Sequence, residues 1–327
     1  MPKISIIILN WNGWEDTIEC LESLYRINYP NYEVIVVDNF STNDSIQNIK
    51  GWTEGKIEVE SKYFETTKCT HNIKIFEYTK ADLENNSYLE RKKEFDTLES
   101  NEKLFLLKND KNDGFAGWNN IALKQILKEN ISEYVFLLNN DTIIDKNLFI
   151  ELFESIKNIS SENIWLIWPK IFNYFTNTHQ IKFYGKLNEK ITKVDWISWA
   201  AFLVKTDVLR NVWLFDETFF LYWEDTDLCY RVTQKYQNYY IQTQSKIYHK
   251  IESSSQNVSQ FKITLHIRNL FILLRRYKKF TLKELVISIL HIVKNNIKIN
   301  FFKTIYYVVK WLINWIIYFI KNPNIKF

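Results

Sequence analysis

Ser5-Ile6-Ile7-Ile8-Leu9-Asn10-Trp11-Asn12-Gly13 and, one helix later, Glu33-Val34-Ile35-Val36-Val37-Asp38-Asn39 decide the fold. Each is an unbroken, β-branched apolar run closed by polar residues. Such a run shows no alternation of polar and apolar sides, so it reads as a strand buried on both faces. Between the two, residues 15–25 place Ile18, Leu21 and Leu24 on one helical face, and the Ser/Thr/Asn-rich stretch 39–44 caps a further short helix. The rhythm resumes with a strand at 104–107, a helix beginning near Phe115 and a strand at 134–138. Strands alternating with helices predict an α/β domain built on a mostly parallel sheet flanked by helices.

Two regions break the rhythm. Residues 51–103 are polar and charged, with weak strand-like runs at 56–59 and 73–78, and read as an insertion over the sheet edge near the site. Residues 261–327 hold 13 of the 42 Lys+Arg but only one of the 38 Asp+Glu, Glu284. The tail is therefore about +12 and residues 1–260 about −8, a division into a catalytic domain (1–260) and a basic tail (261–327). Within the tail, 281–293 and 301–320 have amphipathic helical patterns. Lysines inside the second window predict a helix lying on an anionic membrane surface rather than spanning it. An acidic body excludes a nucleic-acid partner. Cys20, Cys69 and Cys229 are far apart with no CxxC spacing, which argues for a reducing compartment and against disulfides or a zinc site. With no secretory pattern at the start, the expected location is cytoplasmic, peripheral on the inner face of the membrane.

In open α/β sheets ligands bind beyond the carboxyl ends of the strands. Three strands here end in amides or acids: Asn10, Asp38-Asn39, and Asn139-Asn140-Asp141. One such ending is ordinary turn chemistry; three on one sheet converge on a crevice. A second cluster, Glu224-Asp225-Thr226-Asp227, follows the aromatic run Phe219-Phe220-Leu221-Tyr222-Trp223. Helix-dipole capping explains acids there in bland terms. Partial desolvation by the aromatics would also poise one of them as a general base. His249, at the end of a short strand, is on its own more often structural than a ligand.

The motifs 5–13 and 36–42 resemble the opening of family 2 glycosyltransferases, of the GT-A fold, nearest to the bacterial rhamnosyltransferase-like branch. The resemblance continues through Asn112-Asp113-Gly114-Phe115-Ala116-Gly117, Leu137 to Thr142, Asp195-Trp196-Ile197-Ser198, Leu214-Phe215-Asp216-Glu217, Glu224 to Asp227, His249-Lys250 and Arg268-Asn269-Leu270. It covers about 1–50 and 104–275. It implies that Asp38 binds the base of a nucleotide-sugar donor, with Asn10, Asn12, Gly114, Phe115, Gly117, Asn119 and Asn140 beside the donor. It implies that Asp141 and His249 hold Mg²⁺ or Mn²⁺, and that Asp225 is the catalytic base with Glu224 facing the acceptor. The implied reaction is inverting transfer of one sugar, dTDP-rhamnose foremost or else a UDP-sugar, to a glycan or lipid-linked acceptor in surface polysaccharide synthesis. A sugar nucleotidyltransferase would need a Gly-rich, Arg-containing turn where Asn10-Trp11-Asn12-Gly13 stands. A processive synthase would need QxxRW and membrane spans. A degenerate sugar-nucleotide-binding protein is the non-enzymatic alternative.

One departure stands out. The chain has 6 Gly and 12 Trp, whereas average usage of about 7% would give roughly 23 glycines. At Trp118, Trp165, Trp168, Trp199, Trp213, Trp311 and Trp315 the resemblance places glycine. Drift in a divergent branch, with the indoles filling space, is the bland account; the preferred one is a source that reads UGA as glycine, and hence glycine at these positions in the native protein.

Overall fold

The computed structural model describes residues 1–68, 72–157, 164–180, 191–194, 200–212, 214–241, 244–250 and 260–277, with Tyr306, Val309, Lys310 and Ile313 beyond them. The chain opens with β1 (Ile4–Asn10), α1 (Trp14–Leu24), β2 (Tyr32–Asp38) and α2 (Ser45–Thr53). The insertion supplies β3 (Glu58–Val59), β4 (Thr67–Lys68), β5 (Lys74–Thr79), α3 (Lys80–Glu84) and α4 (Leu89–Thr97). Next come β6 (Lys103–Lys108), α5 (Gly114–Glu129), β7 (Tyr134–Asn139), β8 (Thr142–Ile144), α6 (Leu148–Lys157), β9 (Ile164–Pro169) and β10 (Ile171–Asn173). The remainder is β11 (Ile191–Val194), β12 (Ala201–Lys205), α7 (Thr206–Val212), α8 (Glu224–Thr233), β13 (Gln237–Ile241), β14 (Ile247–His249) and α9 (Gln260–Arg276).

Nine strands form one sheet in the order β11-β13-β9-β12-β7-β1-β2-β6-β5. The half from β7 to β5 is parallel, and β12 runs antiparallel beside β7. The β-branched runs read from the sequence lie at its centre: Ile4, Ile6, Ile8, Val34, Val36 and Val37 are fully buried. Burial on both faces is what an apolar run without alternation requires. Register then sets the function. Asn10 pairs with Asp38, and Leu9 with Asn139, so three polar strand ends finish flush on one edge.

A second sheet, β10-β14-β8, has three strands. It pairs His249 with Asn173 on one side and with Thr142 on the other. This small sheet carries a residue more than a hundred positions away to the end of β7.

The insertion does more than lie over the edge. β5 joins the main sheet parallel to β6 and becomes its edge strand. The charged stretch that follows is helical in part, with Phe95 and Tyr88 buried against Phe76 and Tyr78.

Where the basic tail was expected to begin, α9 packs on the body, burying Leu265, Ile267, Leu270 and Leu273. Asp227 on α8 is wholly buried and receives Arg231 Nε at 2.8 Å, Arg276 Nη1 at 3.1 Å and the Tyr277 hydroxyl at 2.7 Å. The expected tail helices at 281–293 and 301–320 lie outside the described residues, apart from the four single positions above. No helix among the described residues is long and apolar enough to cross a membrane.

Candidate active site

At the end of β1, Asn10 is fully buried. Its amide donates to Asp38 Oδ1 at 2.7 Å and to the Ser41 hydroxyl at 3.1 Å, and it accepts from the Thr17 hydroxyl at 2.9 Å. Asp38 also accepts from the Ser41 hydroxyl at 2.7 Å and from the Ser41 backbone N–H at 3.0 Å. These donors fix the carboxylate in one orientation at the strand end. Asn12 adopts a left-handed conformation (φ 55°) and its side-chain oxygen Oδ1 accepts from Thr42 and Asn43 N–H, tying the β1 turn to the β2 turn. Asn140 donates to Gly13 O at 3.2 Å and to Thr17 Oγ1 at 3.0 Å, so the β7 turn joins the same network. The three amides expected beside the donor are thus engaged in building the crevice around Asp38.

Asp141 is buried at the end of β7, and its Oδ1 lies 3.2 Å from His249 Nε2. Beside them Lys250 pairs with Asp16 and Glu19, which keeps its ammonium charged and its charge occupied. Burial pushes the Cys20 thiol, behind this group, up to about 12, leaving it inert as a nucleophile. Among the described residues no three Asp, Glu, His or Cys side chains gather into a metal cage. What exists is a two-donor half-site, one hard oxygen and one imidazole nitrogen. Two ligands at cis positions of an octahedral ion with bonds of about 2.1 Å lie about 3 Å apart, so the observed pair fits such an ion.

Gly114 opens α5 with φ 75°, and a Cβ there would come within 2.4 Å of Phe220 O. Only glycine permits this approach. The N–H groups of Phe115 and Ala116 donate to that same Phe220 oxygen at 2.6 and 3.3 Å. A Cβ on Gly117 would meet Asp113 Cβ at 2.8 Å. Asn119, also buried, donates back to Phe115 O at 2.9 Å. The start of α5 is in this way bolted to the loop before α8.

That loop is strained: Phe220, Tyr222 and Trp223 all have φ between 60° and 72°. Asn269, on α9 and fully buried, holds it by donating to the carbonyls of Phe219, Leu221 and Tyr222 at 2.6, 2.8 and 2.8 Å. Trp223 donates its indole N–H to His266 O at 2.9 Å. Sequence reading noted Asn269 only within a motif. The available signal was a lone amide on an apolar helical face. Asn120, which clamps Phe215 and Glu217, carried no such signal.

The loop delivers Glu224 and Asp225 at the N-terminus of α8. Asp225 Oδ1 accepts from Thr226 N–H at 2.6 Å and from the Thr226 hydroxyl at 3.0 Å. Burial pushes Asp225 up to about 6, the Thr226 hydrogen bonds pulling the other way. Glu224 is raised well above the ordinary glutamate value, first by burial and then by Asp225, and its Oε2 has no hydrogen-bond partner among the described residues. Burial thus raises both of these adjacent carboxyls, Glu224 further than Asp225.

Asp195 to Trp199, expected beside the sugar pocket, lie outside the described residues.

A mostly parallel sheet with helices on both faces and acids at its carboxyl edge is the GT-A glycosyltransferase fold. Residues 5–69 match the profile described as Glycosyl transferase family 2. A curated relative, "Low-salt glycan biosynthesis hexosyltransferase Agl10" of Haloferax volcanii, is 24% identical over 177 residues, which is 49% of this chain and 57% of the relative. The chain therefore matches little more than half the length of that relative. Among solved structures, GalNAc-T7 with UDP, GalNAc and Mn²⁺ aligns at TM-score 0.53 and 12% identity, over 83% of this chain and 48% of that one. The mannosyltransferase PcManGT from Pyrobaculum calidifontis, in complex with GDP-Man and Mn²⁺, aligns at TM-score 0.52 and 12% identity, over 94% and 74%. Together the comparisons support a glycosyltransferase.

Proposed function

We propose that the protein transfers a single sugar, with inversion, from a nucleotide-diphosphate donor to a hydroxyl of a glycan or lipid-linked acceptor. The observation that carries this reading is the register of β1, β2, β7 and β14, which sets Asp38 and the Asp141–His249 pair on one edge. Asp38 would receive the base of the donor. Asp141 and His249 would hold Mg²⁺ or Mn²⁺, which when bound would offset the negative charge that builds on the departing diphosphate. Gly114, Phe115, Gly117 and Asn119 shape the donor side of the crevice. Asp225 accepts the acceptor hydroxyl proton, and Glu224 beside it faces the acceptor. A base acting on the face opposite the leaving group gives one displacement without a covalent intermediate.

dTDP-rhamnose leads the donors, on resemblance, ahead of UDP- and GDP-sugars. A screen of nucleotide sugars with Mn²⁺, read as nucleoside diphosphate release, tests the function. Slow donor hydrolysis by the intact protein is expected. None with any donor would favour a binding relic, and pyrophosphate-linked nucleotide exchange would favour a nucleotidyltransferase.

Asp141→Ala is expected to weaken donor binding and its metal dependence together, and His249→Ala to do so less severely. Calorimetric titration of donor with and without Mn²⁺ measures both. Full activity of the parent in EDTA would sink the metal scheme.

We also propose that the basic tail holds the protein to the cytoplasmic face of the membrane. Deleting 281–327 is expected to release it from anionic vesicles while sparing donor hydrolysis, because near-surface Lys and Arg each contribute about 1 kcal/mol to lipid attraction. Arg275 and Arg276 remain in that truncation, so weak residual binding is expected. Unchanged vesicle pelleting would overturn the assignment.

A further inference from the structure

Gln180 is a half-buried side chain that no motif singles out. Its backbone N–H donates to Ile171 O at 3.0 Å, and the neighbouring His179 bridges Phe172, so it sits fixed against β10. Both hydrogens of its amide nitrogen are used: Nε2 donates to Phe172 O at 3.0 Å and to His249 O at 2.8 Å. Two carbonyl acceptors fix which end of the amide is nitrogen. The oxygen, Oε1, therefore faces His249 Nδ1, at 3.0 Å.

An amide oxygen can only accept. A neutral imidazole that hydrogen-bonds to it carries its hydrogen on Nδ1, which leaves Nε2 bare. The bare nitrogen faces Asp141 Oδ1 at 3.2 Å. Were the ring the other tautomer, Nε2–H would simply donate to Asp141 and Nδ1 would oppose Gln180 lone pair to lone pair. Instead the two lone pairs that oppose each other are those of Nε2 and Asp141, an arrangement that a shared cation completes. Histidines that ligate metals commonly donate their other N–H to an oxygen in this way.

We propose that Gln180 is a positioning residue that locks His249 as the Nδ1–H tautomer and so presents its Nε2 lone pair toward Asp141. The proposal rests on the reading of Asp141 and His249 as a cation half-site.

The test uses the full chain with ¹⁵N-labelled histidine, at a pH where imidazoles are neutral. Long-range ¹H–¹⁵N spectra report which ring nitrogen of His249 is protonated, assigned through His249→Ala. The parent is expected to show Nδ1–H. Gln180→Leu should move the proton to Nε2, where Asp141 accepts it, and Gln180→Glu, which keeps an acceptor oxygen, should retain Nδ1–H. An Nε2–H signature in the parent overturns the proposal, as does a folded Gln180→Leu variant with the tautomer unchanged. If Gln180→Leu does not fold, the parent and Gln180→Glu spectra still decide.

Titrating Mn²⁺ in the presence of inorganic pyrophosphate separates this from the underlying metal reading. Paramagnetic broadening of the His249 ring is expected in the parent, with apparent Mn²⁺ affinity about 10–100-fold weaker in Gln180→Leu. Nδ1–H without broadening would sink the metal reading while leaving the ring lock intact. Broadening with Nε2–H in metal-free parent would do the reverse.

Discussion

Asp225→Asn is expected to lower sugar transfer by about 10²–10⁴, the usual worth of a general base, while donor binding stays within a few-fold of the parent. In the proposed scheme the donor is held by Asp38 and the β7 turn, whereas Asp225 lies on a separate element, α8. Asparagine keeps the acceptor oxygen that receives Thr226 N–H, so the loop geometry survives. The same substitution has a second readout of opposite sign. Burial raises Asp225 from 3.8 to about 6, so its folded pKa lies above its unfolded one. A carboxyl so shifted favours the fold fully below its unfolded pKa and loses that contribution as pH rises through about 6. At pH 8 the parent therefore holds an unfavourable, partly buried charge that asparagine removes. The variant should melt higher than the parent there and no higher at pH 4. In the parent, kcat/KM should fall as pH drops through about 6. A variant of comparable turnover removes Asp225 from the role; one that is inactive but melts lower at pH 8 shows damage rather than a lost base.

Much of this was legible because it is local. β1, β2, β6 and β7 announce themselves as apolar runs that only a doubly covered sheet can bury. Asp38 and Asp141 follow because strand ends carry the ligands of such sheets. His249 was less secure. Its place depends on β14 pairing with β8, a contact across more than a hundred residues that no periodicity encodes. Gln180, Asn120 and Asn269 share one property: each caps at least one backbone carbonyl distant in sequence. Backbone acceptors are present at every position, so nothing in the amino-acid order marks which will be capped. Asn10, Asn12 and Asn140 teach the converse. A polar strand end was legible as belonging to the site, but its hydrogen bonds go to neighbouring turns, and turn-building and ligand-binding asparagines look alike in a sequence. The edge strand β5 was read only as a weak run because an edge lacks the apolar density of a central strand; its pattern of exposed and buried residues alternates in part.

The tryptophans give the largest expected change of all. Trp118 lies inside α5, fully buried, and its indole N–H has no hydrogen-bond partner among the described residues. Buried indoles ordinarily find an acceptor, and an unmade buried hydrogen bond costs about 1–3 kcal/mol. Trp168 is equally buried on β9. Trp165 shares that strand, and Trp199, Trp213, Trp311 and Trp315 lie outside the described residues. Tryptophans buried at unrelated sites, in a chain with 6 glycines, are what translating a glycine codon as tryptophan would produce. The expected result is that peptides of the protein from its natural source, spanning position 118, carry glycine by mass spectrometry, with UGA at that codon. UGG at Trp118 and Trp199 would end the idea. Recombinant protein gives an independent check through Trp118→Gly. If tryptophan were the evolved residue, emptying so large a buried volume should destabilise by about 3–5 kcal/mol, as Trp→Ala changes do. If glycine is native, the variant should be at least as stable as the tryptophan form and bind nucleotide more tightly, because α5 begins beside the donor crevice. Denaturant titration of the pair distinguishes the two by sign as well as by size.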